Sequence, residues 1–206
     1  MPSAAQILDT LAMIANDQKT LALVWHAILA IVVVAILAGW RPVKKLGATS
    51  VALPLLSVAL LARQAGNPFN AIVFLLFAFL LAVIGSRLPL VRVTGAPPWA
   101  RVAGAGLVAF GWVYPHFLAG GSWLRYLYLA PTGLSPCPTL AVLVGLTLVA
   151  NGFSSRAFAL SLGFLGLFYG AFGAFRLGVR IDLVLLAGSV ALMAFALREL
   201  PSGSKS

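Results

Sequence analysis

Carboxylates are nearly missing from this chain. There are four among 206 residues, Asp9, Asp17, Asp182 and Glu199, and no two share an apolar segment. Acid–base catalysis by a carboxylate pair, and carboxylate-driven antiport, are therefore excluded. Cysteine occurs once, as Cys137, which rules out an internal disulfide and any CxxC metal or redox motif. The last apolar run holds no lysine for a Schiff base, and no GxSxG, HExxH or GK[ST] phosphate loop occurs anywhere. The sequence implies neither a cofactor nor an enzymatic activity.

Charge is scarce as well. The chain is 62% hydrophobic and 9% charged, far from the soluble norm of roughly 45–50% apolar and about 25% charged. Its solvent is lipid. The net charge of +10 comes from 14 Lys and Arg scattered between apolar runs. They read as topology signals; the basic patch or recognition module that nucleic-acid binding needs is missing.

What is present is a succession of apolar runs, each long enough, or nearly so, for the ~20 residues that cross a bilayer. They are 20–40, 47–62, 69–86, 101–118, 136–153, 157–175 and 183–197. The expected fold is an all-α polytopic transmembrane bundle of about seven spans, with six plus a re-entrant segment as the alternative, because the second and last runs are short. Barrels are excluded, since no run alternates in polarity. Residues 1–19 read as an amphipathic surface helix, with Ile7, Leu8, Leu11, Ile14 and Ala15 on one face and Ser3 as N-cap. Residues 20–198 form one membrane domain and 199–206 a disordered tail. A signal peptide is not expected, since the basic cluster follows the first apolar core instead of preceding it.

Basic residues set the orientation. With the N-terminus outside, the inner segments hold Arg41, Lys44, Lys45, Arg87, Arg92, Arg101, Arg156, Arg198 and Lys205, against Lys19, Arg63, Arg125, Arg176 and Arg180 outside. Nine against five favours N-out, C-in. The polar-rich stretch Tyr114–Thr139 then lies outside. In the sixth span, Gly163, Gly166, Gly170 and Gly173 share one helical side, while Phe164, Phe168, Phe172 and Phe175 share the other. The glycine side is expected to pack on a neighbouring helix and the phenylalanine side to face lipid or a partner subunit.

Candidate site residues gather toward the outer ends of the spans. Asn67 and Asn70 flank Pro68 at the start of the third, where their amides could meet a ligand or cap the helix. Tyr114 and Pro115 close the fourth. Pro136, Cys137 and Thr139 open the fifth, where a helix start attracts anions and Ser135 can cap. Asp182 precedes the last span, where it could act as N-cap and pair with Arg176 or Arg180. His26, His116 and Cys137 are soft to intermediate donors that could hold a metal ion if they converge; the plainer reading is a hydrogen-bonded histidine and a buried thiol.

The motifs WxxxxAIxxxAILxxWRP, GNPFNA, GWVYP, GLSPCPT and FRLGVRIDLVLLAG, in that order along almost the whole chain, resemble a family of bacterial multi-pass membrane proteins classed as a domain of unknown function. The most specific elements are Pro136, Cys137, Pro138 and Thr139, with Gly178 and Asp182 downstream. The resemblance implies a bacterial inner-membrane address and no particular mechanism. The functional expectation is a protein that binds or moves a small solute or ion through an outward pocket beneath the Tyr114–Thr139 loop. The alternative is an accessory subunit, or a homo-oligomer, joined through the sixth span. The topology has a direct check: a reporter fused after Ser206 is expected in the cytoplasm. A cysteine placed at Gly121 should react with an impermeant reagent from outside, and reaction only after lysis would reverse the orientation.

Overall fold

Five of the helices, those starting at Ala4, Pro68, Pro98, Pro136 and Arg156, begin where the sequence supplies a capping side chain or a proline. The computed structural model describes residues 3–201, is 77% helical and contains no strand among the described residues. Ser3 caps α1 (Ala4–Asp17) through a reciprocal box: its hydroxyl accepts from the Gln6 amide at 3.2 Å, and the Gln6 side chain accepts from the Ser3 amide at 2.8 Å. α2 (Lys19–Leu37) follows after one residue. α3 (Lys44–Ser50) and α4 (Ala52–Gln64) read as one run in the sequence but break at Val51. Pro54 lacks the amide that would bond the Ser50 carbonyl, and its ring crowds that oxygen.

α5 (Pro68–Ser86) starts on a proline, and Asn67 accepts from the Asn70 amide at 3.1 Å. α6 (Pro98–Val113) stops five residues short of the expected 101–118 span. Pro115 pushes Tyr114 out of the helical region, so the run of apolar residues outlasts the helix. A short turn, α7 (Tyr126–Leu129), precedes α8 (Pro136–Val149). Ser135 does not cap α8 with its side chain, contrary to expectation. The usual N3 donor is Pro138, which has no N–H, and the Ser135 hydroxyl turns to the Pro131 carbonyl at 3.4 Å.

After α8 the chain reverses through a left-handed turn, with φ of 53° at Asn151, 59° at Gly152, 51° at Phe153 and 55° at Ser154. Three non-glycine residues in that region are costly. Burial of Phe153 against Phe158 and a 2.6 Å bond from Asn151 to the Thr94 hydroxyl hold the turn. α9 (Arg156–Ala171) is capped by Ser155 and runs into a π-helical turn, Phe172–Arg176. A 3-10 turn, Arg180–Asp182, leads into α10 (Leu183–Glu199). The tail expected from residue 199 is ordered at its start: Glu199 ends α10, and Leu200 is buried over Gly152. Residues 202–206 lie outside the described residues.

Five segments among the described residues are long and apolar enough to cross a bilayer: Lys19–Leu37, Lys44–Gln64, Pro68–Ser86, Arg156–Arg176 and Arg180–Glu199. α6, with 16 residues, and α8, with 14, are shorter. α8 compensates by being enclosed. From Pro136 to Gly145 every residue except Cys137 is buried, packed by α6, α9 and α10. The approach to α6 is through glycine. A Cβ built on Gly104 would stand 2.6 Å from the Gly145 carbonyl, and one on Gly145 would stand 2.5 Å from that of Gly104.

The glycine side of α9 packs as its spacing implies: Gly163 lies on Met193, Gly166 on Ser189 and Gly170 on the Leu186 backbone. Phe164 and Phe175 point outward, 56% and 75% exposed. Gly104→Ala is expected to destabilise the protein by about 1–3 kcal/mol through overpacking. Gly106→Ala, two residues away with nothing within 4 Å of the added carbon, should be neutral or slightly stabilising. Thermal unfolding in detergent measures both, and equal effects would refute the close α6–α8 approach.

Candidate functional site

Five of the sequence-selected residues share one cavity. It has a volume of about 280 Å³ and collects Asn67 and Asn70 from α5, Pro136 and Cys137 from α8, and Asp182 from the turn before α10. α1 lies across it, contributing Ala4, Ile7 and Leu11. The amphipathic helix therefore lays its apolar side on the bundle as a cover. Asn16 pins it there, donating to the Phe117 carbonyl at 2.9 Å and accepting from the Ala119 amide at 3.0 Å.

The deep wall is polar. Asp182 is 1% exposed and accepts from the Tyr114 hydroxyl at 2.7 Å. Its other oxygen lies over Gly173, where an added Cβ would collide with it. The π turn thus brings an unobstructed backbone against a carboxylate, a use of π geometry common at sites. The Cys137 thiol lines the same cavity as this carboxylate and contacts the Tyr169 carbonyl at 3.9 Å. Tyr169 in turn donates to the Asn70 side-chain oxygen at 2.8 Å. The Asn70 amide nitrogen has no protein partner, yet Thr147 Oγ1 alone among the described residues is sealed off unsatisfied. That nitrogen is therefore not sealed off, and Asn70 lines the same cavity as Asp182. Phe69, Phe117, Phe168 and Phe172 form the apolar wall, and Arg176 stands with them on the lining.

Several expectations need correction. Asp182 makes no side-chain cap for α10. It sits in right-handed helical conformation inside a 3-10 turn, so its carboxylate is carried inward to Tyr114 while Arg176 and Arg180 stay exposed. Pro115 is exposed and stands outside this cavity. Thr139 is buried on a different side of α8, donating to the Ser135 carbonyl at 2.6 Å and accepting from the Gly133 amide at 2.8 Å. The metal set His26, His116 and Cys137 does not form, and no group of three such donors is found among the described residues. His26 Nδ1 is 2.9 Å from the Ala22 carbonyl and Nε2 is 3.1 Å from that of Trp112. His116 packs on Phe117, with ring centres 4.3 Å apart. The anion site expected at the start of α8 is also poorly provided: Pro136 and Pro138 remove two of its first three amides, and the Asp182 carboxylate lines the same cavity.

Sequence reading missed Tyr169 and the covering role of α1, and gave Gly173 a helix-packing role where the structure sets it against Asp182. A signal for Tyr169 existed, since it is the single polar aromatic in a helix of glycine and phenylalanine. Comparison with known proteins returned no match: no protein-family model, no curated protein and no solved structure resembles the chain significantly. The site is therefore defined by its own geometry.

Removing the Tyr114 hydroxyl leaves a buried carboxylate short of a partner. Tyr114→Phe is expected to cost about 1–3 kcal/mol. Combining it with Asp182→Asn should cost less than the sum of the two, by about 0.5–3 kcal/mol. Additive losses in thermal unfolding would show that the contact carries no energy.

Proposed function

We propose that the protein is an integral membrane protein that binds, and in doing so moves or senses, a small solute held in the cavity beneath α1. The observation that carries this reading is the convergence of Asn70, Cys137, Tyr169 and Asp182, from four separate elements, on one cavity, which thereby holds both an amide donor and a carboxylate. Unpaired polar groups are costly in a membrane-like interior, so a solute that meets the Asn70 amide would relieve that cost. The aromatic side opposite suits the apolar part of the solute.

Orientation belongs to the same proposal. The end of the bundle remote from α1 gathers Arg41, Lys44, Lys45, Arg87, Arg92, Arg101, Arg156 and Arg198 with a single carboxylate, Glu199, whereas the α1 end mixes five basic residues with three acids. That asymmetry supports an inner membrane with the basic end cytoplasmic and the cavity facing out. About seven spans follow if α6 and α8 cross inside the shelter of their neighbours. Kinship with the multi-pass family of unknown function stays within this proposal, on the motifs that suggested it. The outward Phe164 and Phe175 favour a second reading, a subunit contact on α9.

Cys137, being the sole cysteine, is a built-in reporter of the cavity. A small methanethiosulfonate reagent added to intact cells or to the purified protein should modify Cys137 slowly, and a bulky maleimide should not. Solutes that occupy the cavity should slow that modification in proportion to their occupancy. Modification only after denaturation would mean that no solute reaches this wall, and the binding reading would be abandoned. A preparation that is stable and monodisperse without partners would count against the subunit reading.

A further inference from the structure

A second cavity, apolar and open to the side, runs between α2 and the α3–α4 and α8 helices. Its walls are Ile28, Val32 and Ile36 on one side and Gly47, Val51 and Pro54 on the other. One end is shut. Trp25 donates to the Ser57 hydroxyl at 3.1 Å, Ser57 donates to the Gly133 carbonyl at 2.6 Å, and the Trp25 ring lies so close over Gly133 that no Cβ would fit. The other end opens at Trp40 and Pro42, where α2 stands away from the bundle, with Leu37 81% exposed.

The dimensions select an occupant. From Trp25 to Ile36 the helix rises about 16 Å, close to the depth of one leaflet's hydrocarbon, about 15 Å. A volume of about 260 Å³ strung along that length makes a narrow slot, open to the side, shaped for one extended polymethylene chain. The open end is cationic. Arg41 is exposed beside Pro42, and Lys44 stands one helical turn before Gly47 on the face that lines the groove. No carboxylate occurs in the sequence between Asp17 and Asp182, and the one at this end of the bundle, Glu199, closes α10, which does not line the groove.

We propose that this groove is a lipid site: it holds one acyl chain of an anionic glycerophospholipid, whose headgroup phosphate is bound by Arg41 and Lys44. The chain lies against Val32 and the floor of α8 at Val142 and Leu146. The headgroup sits at the level of Trp40, the depth at which tryptophan prefers to stand. The site is separate from the solute cavity, and neither reading depends on the other.

Native mass spectrometry of the full-length protein in mild detergent tests it, with phosphatidylglycerol and phosphatidylcholine of the same acyl chains as probes. One phosphatidylglycerol should be retained at concentrations at which phosphatidylcholine is lost. Arg41→Gln and Lys44→Gln should each weaken that retention about fivefold and leave phosphatidylcholine unaffected. Val32→Trp, which fills the groove, should abolish the tight phosphatidylglycerol; if that variant does not accumulate, Ser50→Phe narrows the same groove from α3. Equal retention of the two lipids would overturn the proposal. So would a preference that survives both charge variants, or a dimer that forms in place of lipid binding.

Discussion

Contact between two backbones, at Gly104 and Gly145, is the constraint on which the rest of the bundle depends. With no side chain at either position, α6 and α8 come close enough that each carbonyl lies against the other's Cα. α8 can then be enclosed by α6, α9 and α10, and both cavities are defined by what it leaves uncovered. Its first turn forms part of the wall beside Asp182, and its middle forms the floor between α2 and α4. In lipid, where apolar surface gives helices little reason to associate, such close approach and a few hydrogen bonds supply most of the specificity.

The hydrogen bonds in question are few and long-range in sequence. Tyr114 to Asp182 ties the end of α6 to the start of α10, and Tyr169 to Asn70 ties α9 to α5. Asn16 ties α1 to the chain after α6. All three lie at the α1 end. The opposite end is held by packing, by the left-handed turn at Asn151–Ser154 with its bond to Thr94, and by the backbone bonds from Lys44 to Val91 and from Val93 to Pro42. One end is therefore joined through buried side chains, and the other through backbone and turn contacts with a basic rim.

Much of this was legible in the sequence for reasons of periodicity. The glycine stripe of α9, the Ser3 cap and the apolar face of α1 follow from spacings along one helix, and the structure agrees with each; of the phenylalanine stripe, Phe164 and Phe175 point outward while Phe168 and Phe172 line the cavity. Asn67, Asn70, Cys137 and Asp182 could be selected because a polar group at the end of an apolar run must cap a helix, pair with a neighbour or face a site. What could not be read was the pairing between helices. Whether Asp182 caps its own helix or reaches Tyr114 depends on a 3-10 turn that rotates the side chain inward. Whether Thr139 joins the cavity depends on rotation about α8, two residues beyond Cys137 and so on another face. The early end of α6 is different: Pro115 announced it, and the apolar run Phe117–Leu118 concealed it.

The short length of α8 has a consequence for biosynthesis. At 14 residues it extends about 21 Å, less than the ~30 Å of a hydrocarbon core, and its start carries two prolines. Of the helices that enclose it, α6 is made earlier, but α9 and α10 are made later. A ribosome must therefore finish the C-terminal third of the chain before the centre of the protein is covered. Truncations that remove α10 would strip the shelter from a helix nearly fifty residues upstream, and chains stalled at that point are the natural substrates for membrane quality control.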